Sequence, residues 1–358
     1  MVKKVPIDFL LQEQISLPWS LATDRYFLRA VPEKGIPILR AYTVLGDALS
    51  IGRYHAVAKT LQQGEIACSR RLTGGKVMPC GEGFVGFSLI LPHRSALLFD
   101  DPLALAPFQV MNRYVRGVLN GLKDSGVNVF YPGRDLLTVR QRSIGWISFT
   151  TEAGGALLFE GILSVNQDFS TLPYLLDRAD PQGVLPSQLL TPETATSLAQ
   201  EAEKEMTFAY VADLLQHGYA AQFSRDVDRR KLTPEEEEAI GGIAAKEFAV
   251  ASWFYGYTLQ PDLSYHGVSS TQLGTFAAHF TLVPERLLHE VRFTGDFIAN
   301  TEAIADLEEG LEYCPAERQA IWQVVDRVFT RPQNFLLGIG PLKTIPETIL
   351  KGLPRTGL

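Results

Sequence analysis

Two adjacent arginines, Arg70 and Arg71, precede a glycine pair, Gly74 and Gly75, by two residues. Arginine supplies forked donors for phosphate or carboxylate groups. Glycine lets backbone N–H groups approach a ligand without a Cβ in the way. The segment therefore suits an anionic ligand held close to the main chain, just before a strand-like apolar run over residues 84–91. The alternative is a hairpin with a glycine turn and two solvent-exposed arginines.

The Gly75–Lys76 pair looks like the end of a nucleotide-binding P-loop, but its surroundings exclude that motif. A P-loop needs Ser or Thr after the lysine and another glycine five positions before the second glycine. Here Val77 follows Lys76, and Arg70 stands five positions before Gly75. The phosphate-binding interpretation therefore depends on the arginines and not on a P-loop.

The composition predicts a globular protein. A chain of 358 residues is long enough for two domains, and 46% hydrophobic with 20% charged residues is typical of globular proteins. The net charge of −7 argues against a nucleic-acid partner. We expect no membrane association, because no run of 18 apolar residues and no signal-peptide region occurs. Three cysteines, Cys68, Cys80 and Cys314, predict reduced thiols in the cytoplasm.

Strand-like and helical patterns alternate along the first 232 residues, and these elements would position the arginine–glycine loop. Apolar residues at helical spacing predict an amphipathic helix over residues 106–122. Strands are predicted within residues 38–53, around a turn at Gly46, and at 136–139, 144–149, 156–159 and 162–165, and a long helix over 186–216.

A charged run without a core pattern, residues 225–231, predicts a boundary between a domain of residues 1–232 and one of residues 233–358. Thr233, Pro234 and Glu236 then form a capping-box pattern that predicts the start of a helix. In the second domain we expect strands over 276–283 and up to 295–297, and helices near 304–312 and 315–329.

Over almost its full length, the chain resembles the lipoate–protein ligase A family within the superfamily of biotin ligases, lipoate ligases and octanoyltransferases. The arginine–glycine loop with Val77 and Ser88 is similar to that family's signature loop, and Gly161, Asn166 and Asp168 have the spacing of a second motif. Further similar segments are residues 20–28 (SLATDRYFL), 50–55 (SIGRYH), 133–137 (GRDLL), 252–256 (SWFYG) and 295–297 (GDF).

This resemblance implies an α/β fold with a mixed, largely antiparallel sheet flanked by helices, plus a small C-terminal α/β accessory domain. It implies that ATP, Mg²⁺ and lipoate give lipoyl-adenylate, whose lipoyl group passes to a lysine. The partners implied are lipoyl domains of 2-oxoacid dehydrogenase complexes or the glycine cleavage H protein.

The resemblance also implies roles for individual residues. Arg70 and Arg71 are expected to hold carboxylate and phosphate, Asp135 to orient the nucleotide or its metal, and Arg142 to take the place of the catalytic lysine. The full set implied at the substrate and adenylate is Arg70, Arg71, Thr73, Gly74, Gly75, Lys76, Val77, Ser88, Gly145 and Gly161.

Four positions depart from the family pattern. Lys76 replaces the third loop glycine, Cys80 falls on a histidine, Arg142 falls on the lysine, and Glu160 replaces the histidine before Gly161. Lys76 either supplies the missing ammonium group or is a solvent-facing loop residue. Cys80 is either a thioester nucleophile or a small buried hydrophobic residue.

Three functions therefore stay open at the level of the sequence. The first is a lipoate–protein ligase, favoured by the double arginine and the glycine pair. The second is an ATP-independent octanoyl or lipoyl transferase that uses Cys80. The third is a non-catalytic homologue that binds a lipoyl-like ligand or a lipoyl domain, favoured by the missing lysine and histidines.

Overall fold

The computed structural model describes residues 5–57, 66–179, 191–257 and 264–354. These form a mixed α/β fold with one large sheet and three smaller ones. The strands are β1 Ile7–Ile15, β2 Ile38–Val44, β3 Ala48–Ile51, β4 Ala67–Arg70, β5 Met78–Pro79, β6 Phe84–Leu91, β7 Leu136–Val139, β8 Arg142–Thr151, β9 Leu157–Ser164, β10 Val227–Arg230, β11 Tyr265–Ser270, β12 Thr275–Val283, β13 Leu287–Gly295, β14 Ile298–Ala299 and β15 Leu336–Leu337. The α-helices are α1 Leu17–Lys34, α2 Pro107–Lys123, α3 Leu172–Ala179, α4 Leu198–Ala202, α5 Phe208–Phe223, α6 Pro234–Ile243, α7 Ala251–Phe254, α8 Thr301–Gly310, α9 Arg318–Phe329 and α10 Thr344–Gly352. No helix in the described part of the chain is long and apolar enough to cross a membrane.

The large sheet has seven strands in the order β10-β1-β2-β6-β9-β8-β7. Strand β1 runs parallel to β10 and β2, and the remaining pairs are antiparallel. The predicted mixed, largely antiparallel sheet is therefore confirmed. Its register sets Ser88 and Ser148 on either side of Glu160, so these three polar residues form a row across neighbouring strands.

Helices cover both faces of this sheet because neighbouring strand residues point to opposite sides. Leu89 belongs to the core that α2 and α5 share with the sheet. The adjacent Ile90 belongs to a second core, which contains Phe27 of α1 and Ile240 of α6.

The C-terminal region has its own core. Strands β11, β12 and β13 form an antiparallel sheet, and helices α8, α9 and α10 pack against it. Tyr54, from the first part of the chain, is buried in this core and stacks on Phe297 with ring centroids 4.5 Å apart. The two regions are therefore joined by contacts next to the glycine loop.

The strand at Phe84–Leu91, the helix at Pro107–Lys123 and the pairing of β7 with β8 confirm the sequence predictions. The single helix over residues 186–216 is wrong where the structure describes it. Helices α4 and α5 are separated there, because α4 ends at Ala202 and the next residue, Glu203, adopts a left-handed conformation. Residues 186–190 lie outside the described residues.

Two strand interpretations also change. Residues predicted as separate strands around Glu160 form one strand, β9, and the charged run at residues 225–231 contains the edge strand β10. An edge strand needs few apolar residues, and only Val227 of β10 is fully buried, so its composition hid it. The division into domains at residue 232 stays a prediction.

Candidate active site

A three-stranded sheet, β4-β3-β5, holds the arginine–glycine loop between its strands. The loop leaves β4 at Arg70 and enters β5 at Met78. Close packing requires the glycines: a Cβ on Gly52 would lie 2.0 Å from the Gly75 carbonyl oxygen, and one on Gly74 would lie 2.0 Å from that of Phe297. Gly75 adopts a φ of +92°, which favours glycine.

Arg70 lies in the interior, so the alternative of a solvent-exposed arginine is wrong. Its Nε donates to the Phe254 carbonyl at 2.9 Å, and its Nη1 donates to the Arg53 and His55 carbonyls at 2.7 Å each. Burial lowers its pKa. Its Nη2 is buried without a hydrogen-bond partner in the described structure, and this is the one guanidinium nitrogen that remains for a ligand.

Arg71 is also buried and organises the loop itself. Its guanidinium stacks on Trp146, 4.0 Å from the ring centroid. It donates to the carbonyls of Ser50 at 2.9 Å and Gly74 at 3.0 Å, and also to that of Lys76. Because these acceptors belong to the protein, a role for Arg71 in holding carboxylate or phosphate stays a prediction.

Lys76 forms a buried ion pair with Asp135. Its Nζ lies 2.7 Å from Asp135 Oδ2 and also donates to the Leu273 carbonyl. The interpretation of Lys76 as a solvent-facing loop residue is therefore wrong. Burial raises the pKa of Asp135 while Lys76 acts to lower it. The ion pair therefore fixes the ammonium group of Lys76 directly after Gly74 and Gly75.

Arg142 is not brought to Asp135. It begins β8 opposite Val139 and forms an ion pair with Glu201, which also accepts a hydrogen bond from Thr196. Asp135 is paired with Lys76 instead, and Arg142 with Glu201. Whether Arg142 serves as the catalytic cation stays a prediction.

Glu160 forms a polar chain with the loop that the sequence did not predict. Thr73 Oγ1 donates to Glu160 Oε1 at 2.5 Å, and Arg71 Nε donates to Thr73 Oγ1 at 3.3 Å. Burial and the nearby Asp24 raise the pKa of Glu160 to about 7, against the lowering effect of Arg71. Ser88, opposite Glu160 in the sheet, is fully buried, and its hydroxyl acts to lower the pKa of the neighbouring Asp24.

Beside Glu160 lies a small cavity of about 20 Å³, lined among others by Tyr42, Cys80, Trp146 and Ile162. Cys80 is buried, and burial raises the pKa of its thiol. A thiol that resists ionisation is a poor nucleophile, so the geometry favours the buried, structural role for Cys80.

The remaining predicted residues support this arrangement by packing. Val77 belongs to an apolar cluster with Leu49 and Ile51. A Cβ on Gly161 would lie 2.4 Å from the Trp146 carbonyl oxygen, and one on Gly145 would lie 3.0 Å from the Leu137 side chain. These glycines therefore allow the strands and side chains around the cavity to approach closely.

A segment of the C-terminal region, residues 295–299, covers the loop. Gly75 N–H donates to the Phe297 carbonyl at 2.8 Å. His55 Nε2 lies 3.0 Å from the Gly75 carbonyl oxygen and 3.3 Å from Asp296 Oδ1. Ala299 O accepts from Thr150 Oγ1 at 3.2 Å. The glycine loop is thus enclosed between the two regions.

The described residues contain no group of three His, Cys, Asp or Glu side chains that could hold a metal ion. Asp135, which the resemblance relates to a metal, is occupied by Lys76. The residues as arranged therefore do not fit a protein-bound Mg²⁺.

A family model described as "Lipoyl protein ligase A/B catalytic domain" matches residues 17–220, more than half of the chain. The chain belongs to this family. No curated protein sequence matches it significantly.

Solved structures show the same fold. P. falciparum LipL1 in complex with lipoate is 13% identical, with a TM-score of 0.69 over 96% of this chain and 99% of its own. Lipoate-protein ligase A bound with ATP is 19% identical, with a TM-score of 0.57 over 71% and 99%. A bipartite lipoate protein ligase from Thermoplasma acidophilum, studied with its E2 lipoyl domain, is 17% identical, with a TM-score of 0.56 over 72% and 99%.

Proposed function

We propose that this chain activates lipoate with ATP and transfers the lipoyl group to a lysine of a lipoyl domain. In the first step a lipoate carboxylate oxygen attacks the α-phosphorus of ATP and pyrophosphate leaves. In the second step the lysine amine attacks the acyl carbon, AMP leaves and the amine loses a proton. Relatives solved with ATP, with lipoate and with an E2 lipoyl domain support these substrates and this partner.

The observation that carries the proposal is the buried Lys76–Asp135 ion pair, 2.7 Å long, at the end of the glycine loop. Both steps develop negative charge on phosphate or carbonyl oxygens, and a preorganised cation in a dry site stabilises such charge strongly. Asp135 holds the Lys76 ammonium in place at the end of the loop. Arg70 Nη2, buried without a described partner, is a second donor suited to the phosphate or the carboxylate.

The proposal also includes Mg²⁺ as the companion of ATP and a second class of acceptor protein. Because Asp135 is paired with Lys76, Mg²⁺ would enter the site with the phosphates of ATP. The glycine cleavage H protein is a further candidate acceptor beside the lipoyl domains of 2-oxoacid dehydrogenase complexes. We place the reaction in the cytoplasm, where the free thiols of Cys80 and Cys314 would stay reduced.

A second candidate is a non-catalytic homologue that binds a lipoyl-like ligand or a lipoyl domain. The contact that favours it is the hydrogen bond from Gly75 N–H to the Phe297 carbonyl, since that donor is then unavailable to a ligand. The cavity of about 20 Å³ is also too small for a lipoyl chain without rearrangement. The transferase is disfavoured by the raised pKa of the Cys80 thiol.

One experiment separates these functions. Purified protein is incubated with Mg-ATP, lipoate and an unmodified lipoyl domain, while pyrophosphate release and the intact mass of the domain are recorded. The ligase releases pyrophosphate and adds one lipoyl group to the domain. Lipoyl-domain binding without pyrophosphate release leaves only the non-catalytic homologue, and acyl transfer from a thioester on Cys80 without ATP leaves only the transferase.

A further inference from the structure

One edge of the large sheet is basic in a molecule that is acidic as a whole. Strand β7 forms this edge, and the chain carries a net charge of −7. Residues 127–143 contain three arginines and one acidic residue, Asp135, which is buried with Lys76. Arg134 and Arg140 are exposed, and neither has an ion pair in the described part of the chain. Among the described residues, the edge therefore presents two exposed guanidinium groups that lack an ion pair.

An exposed aromatic side chain lies at the same edge. Phe130 is 64% exposed, yet its backbone is fixed to β7 by hydrogen bonds to Thr138 of 2.7 and 2.9 Å. Aromatic residues and arginine are enriched at protein interfaces, whereas lysine is depleted there. Phe130, Arg134 and Arg140 together are called the arginine edge below.

The backbone at the tip of this edge is strained. Arg140 and Gln141 form the two-residue turn between β7 and β8, with φ of 48° and 69°. A turn with two positive φ values is normally built from Asn-Gly or Asp-Gly, because other side chains resist this conformation. Strain of this kind concentrates at functional positions. Here it holds an arginine at the tip of an edge hairpin.

The arginine edge is continuous with the candidate active site. Arg134 directly precedes Asp135, which contacts Lys76. Arg140 lies five residues after Asp135, which corresponds to about 17 Å at the usual rise of a β-strand. A typical protein interface covers about 800 Å² on each partner, enough to include both arginines and the site.

We propose that the arginine edge docks the acidic face of the protein whose lysine receives the acyl group. This inference rests on the proposed function, whose partner it defines further. Complementary charge would speed the encounter and fix the orientation of the acceptor, and the effect would weaken as salt screens it. Phe130 would supply the apolar contact at the centre of the interface.

The test measures binding alone, by titration calorimetry with an unmodified lipoyl domain of acidic surface. We expect Arg134→Glu/Arg140→Glu to raise the Kd at least about tenfold at low salt and to reduce the salt dependence. Arg116→Glu/Arg286→Glu changes the net charge equally at two exposed arginines elsewhere and should leave the Kd unchanged. Thermal melts check folding, and Arg134→Gln/Arg140→Gln gives a milder removal of the same charges.

Equal effects of the two double variants, no effect of the first, or no binding by the wild type would overturn the docking surface. So would competition by duplex DNA as effective as competition by the lipoyl domain, because the edge would then be a general polyanion site. Pyrophosphate release without any acceptor reports on the proposed ligase separately. Binding that depends on Arg134 and Arg140, without pyrophosphate release, would support the docking surface and contradict the proposed ligase activity.

Discussion

Lys76 is the residue on which the enzymatic proposal depends most. Lys76→Gln alone leaves Asp135 buried and unpaired, which we expect to cost about 3–5 kcal/mol of stability. Lys76→Gln/Asp135→Asn removes both charges and should fold. If the ammonium stabilises the developing charge, this double variant should release pyrophosphate roughly 100-fold more slowly.

Arg142→Ala is the matched comparison, because it removes the cation to which the family resemblance gives the catalytic role. Arg142 is paired with Glu201, whereas Lys76 is paired with Asp135. A double variant of Lys76 and Asp135 with full activity, next to an inactive Arg142→Ala, would transfer the catalytic role to Arg142.

Glu160 makes stability depend on pH in a predictable direction. Its pKa is raised from 4.5 to about 7, so the folded protein keeps a proton that the unfolded chain releases. The resulting stabilisation is complete below about pH 4.5 and is lost as the pH rises through about 7. We expect the free energy of unfolding to fall across this window by on the order of 1 kcal/mol per pH unit.

Urea unfolding of Glu160→Gln at several pH values checks this expectation. The variant cannot ionise, so its stability should vary less between pH 5 and pH 7 than that of the wild type, by roughly the slope given above. Glu309→Gln, at an exposed position, is the control and should keep the wild-type slope. A slope in Glu160→Gln equal to that of the wild type would contradict the assignment.

The sequence predicted which loop carries the polar chemistry but not what its side chains contact. Arg70 binds a carbonyl 184 residues away, Lys76 a carbonyl 197 residues away, and Thr73 binds Glu160 across 87 residues. Local spacing carries no information about such partners. The burial of Lys76 could not be predicted for the same reason, because its partners Asp135 and Leu273 lie 59 and 197 residues away in the sequence.

At the scale of elements, the β7–β8 hairpin was predictable because each strand is a short apolar run bounded by polar residues. Its strained turn was not predictable, since Arg140 and Gln141 are poor candidates for positive φ. We expect Arg140→Asn/Gln141→Gly to raise the free energy of unfolding by about 1 kcal/mol or more, because these residues suit the turn.

Chemical denaturation gives the stability of this turn variant, and calorimetry gives its affinity for the lipoyl domain. A more stable protein that binds the domain more weakly is the expected combination, because the turn keeps its shape and loses its cation. A less stable protein would mean that the turn is not strained in solution.

Strand β9 shows why other elements were harder to predict. Glu160 and Gly161 interrupt its apolar run and suggested two strands, whereas the sheet buries the whole strand and pairs Glu160 with Ser88 and Ser148. Glu160 is tolerated there because Thr73 hydrogen-bonds to it and because its pKa, raised to about 7, keeps the carboxyl protonated at lower pH. A polar interruption in a buried strand therefore marked the site and not a turn.

At the scale of the whole molecule, the contact between residues 295–299 and the glycine loop competes with any ligand that needs the Gly75 N–H. Thr150 Oγ1 stabilises this contact by donating to the Ala299 carbonyl at 3.2 Å. Thr150→Val keeps the side-chain shape and removes the donor, at a cost of about 1 kcal/mol. A ligand that displaces residues 295–299 then has to break a weaker contact. We therefore expect lipoate with ATP to bind up to about fivefold more tightly.

Calorimetric titration with lipoate and ATP measures the affinity of the Thr150→Val variant, and thermal melts measure its stability. Thr348→Val is the control, since Thr348 is a buried threonine of α10 whose hydroxyl bonds within the C-terminal region, to Ser269 and the Thr344 carbonyl. It should lower stability without changing affinity. If Thr150→Val also leaves affinity unchanged, ligand binding does not require residues 295–299 to leave the glycine loop. Ligands would then have to reach Arg70 and Lys76 with the two regions closed as they are.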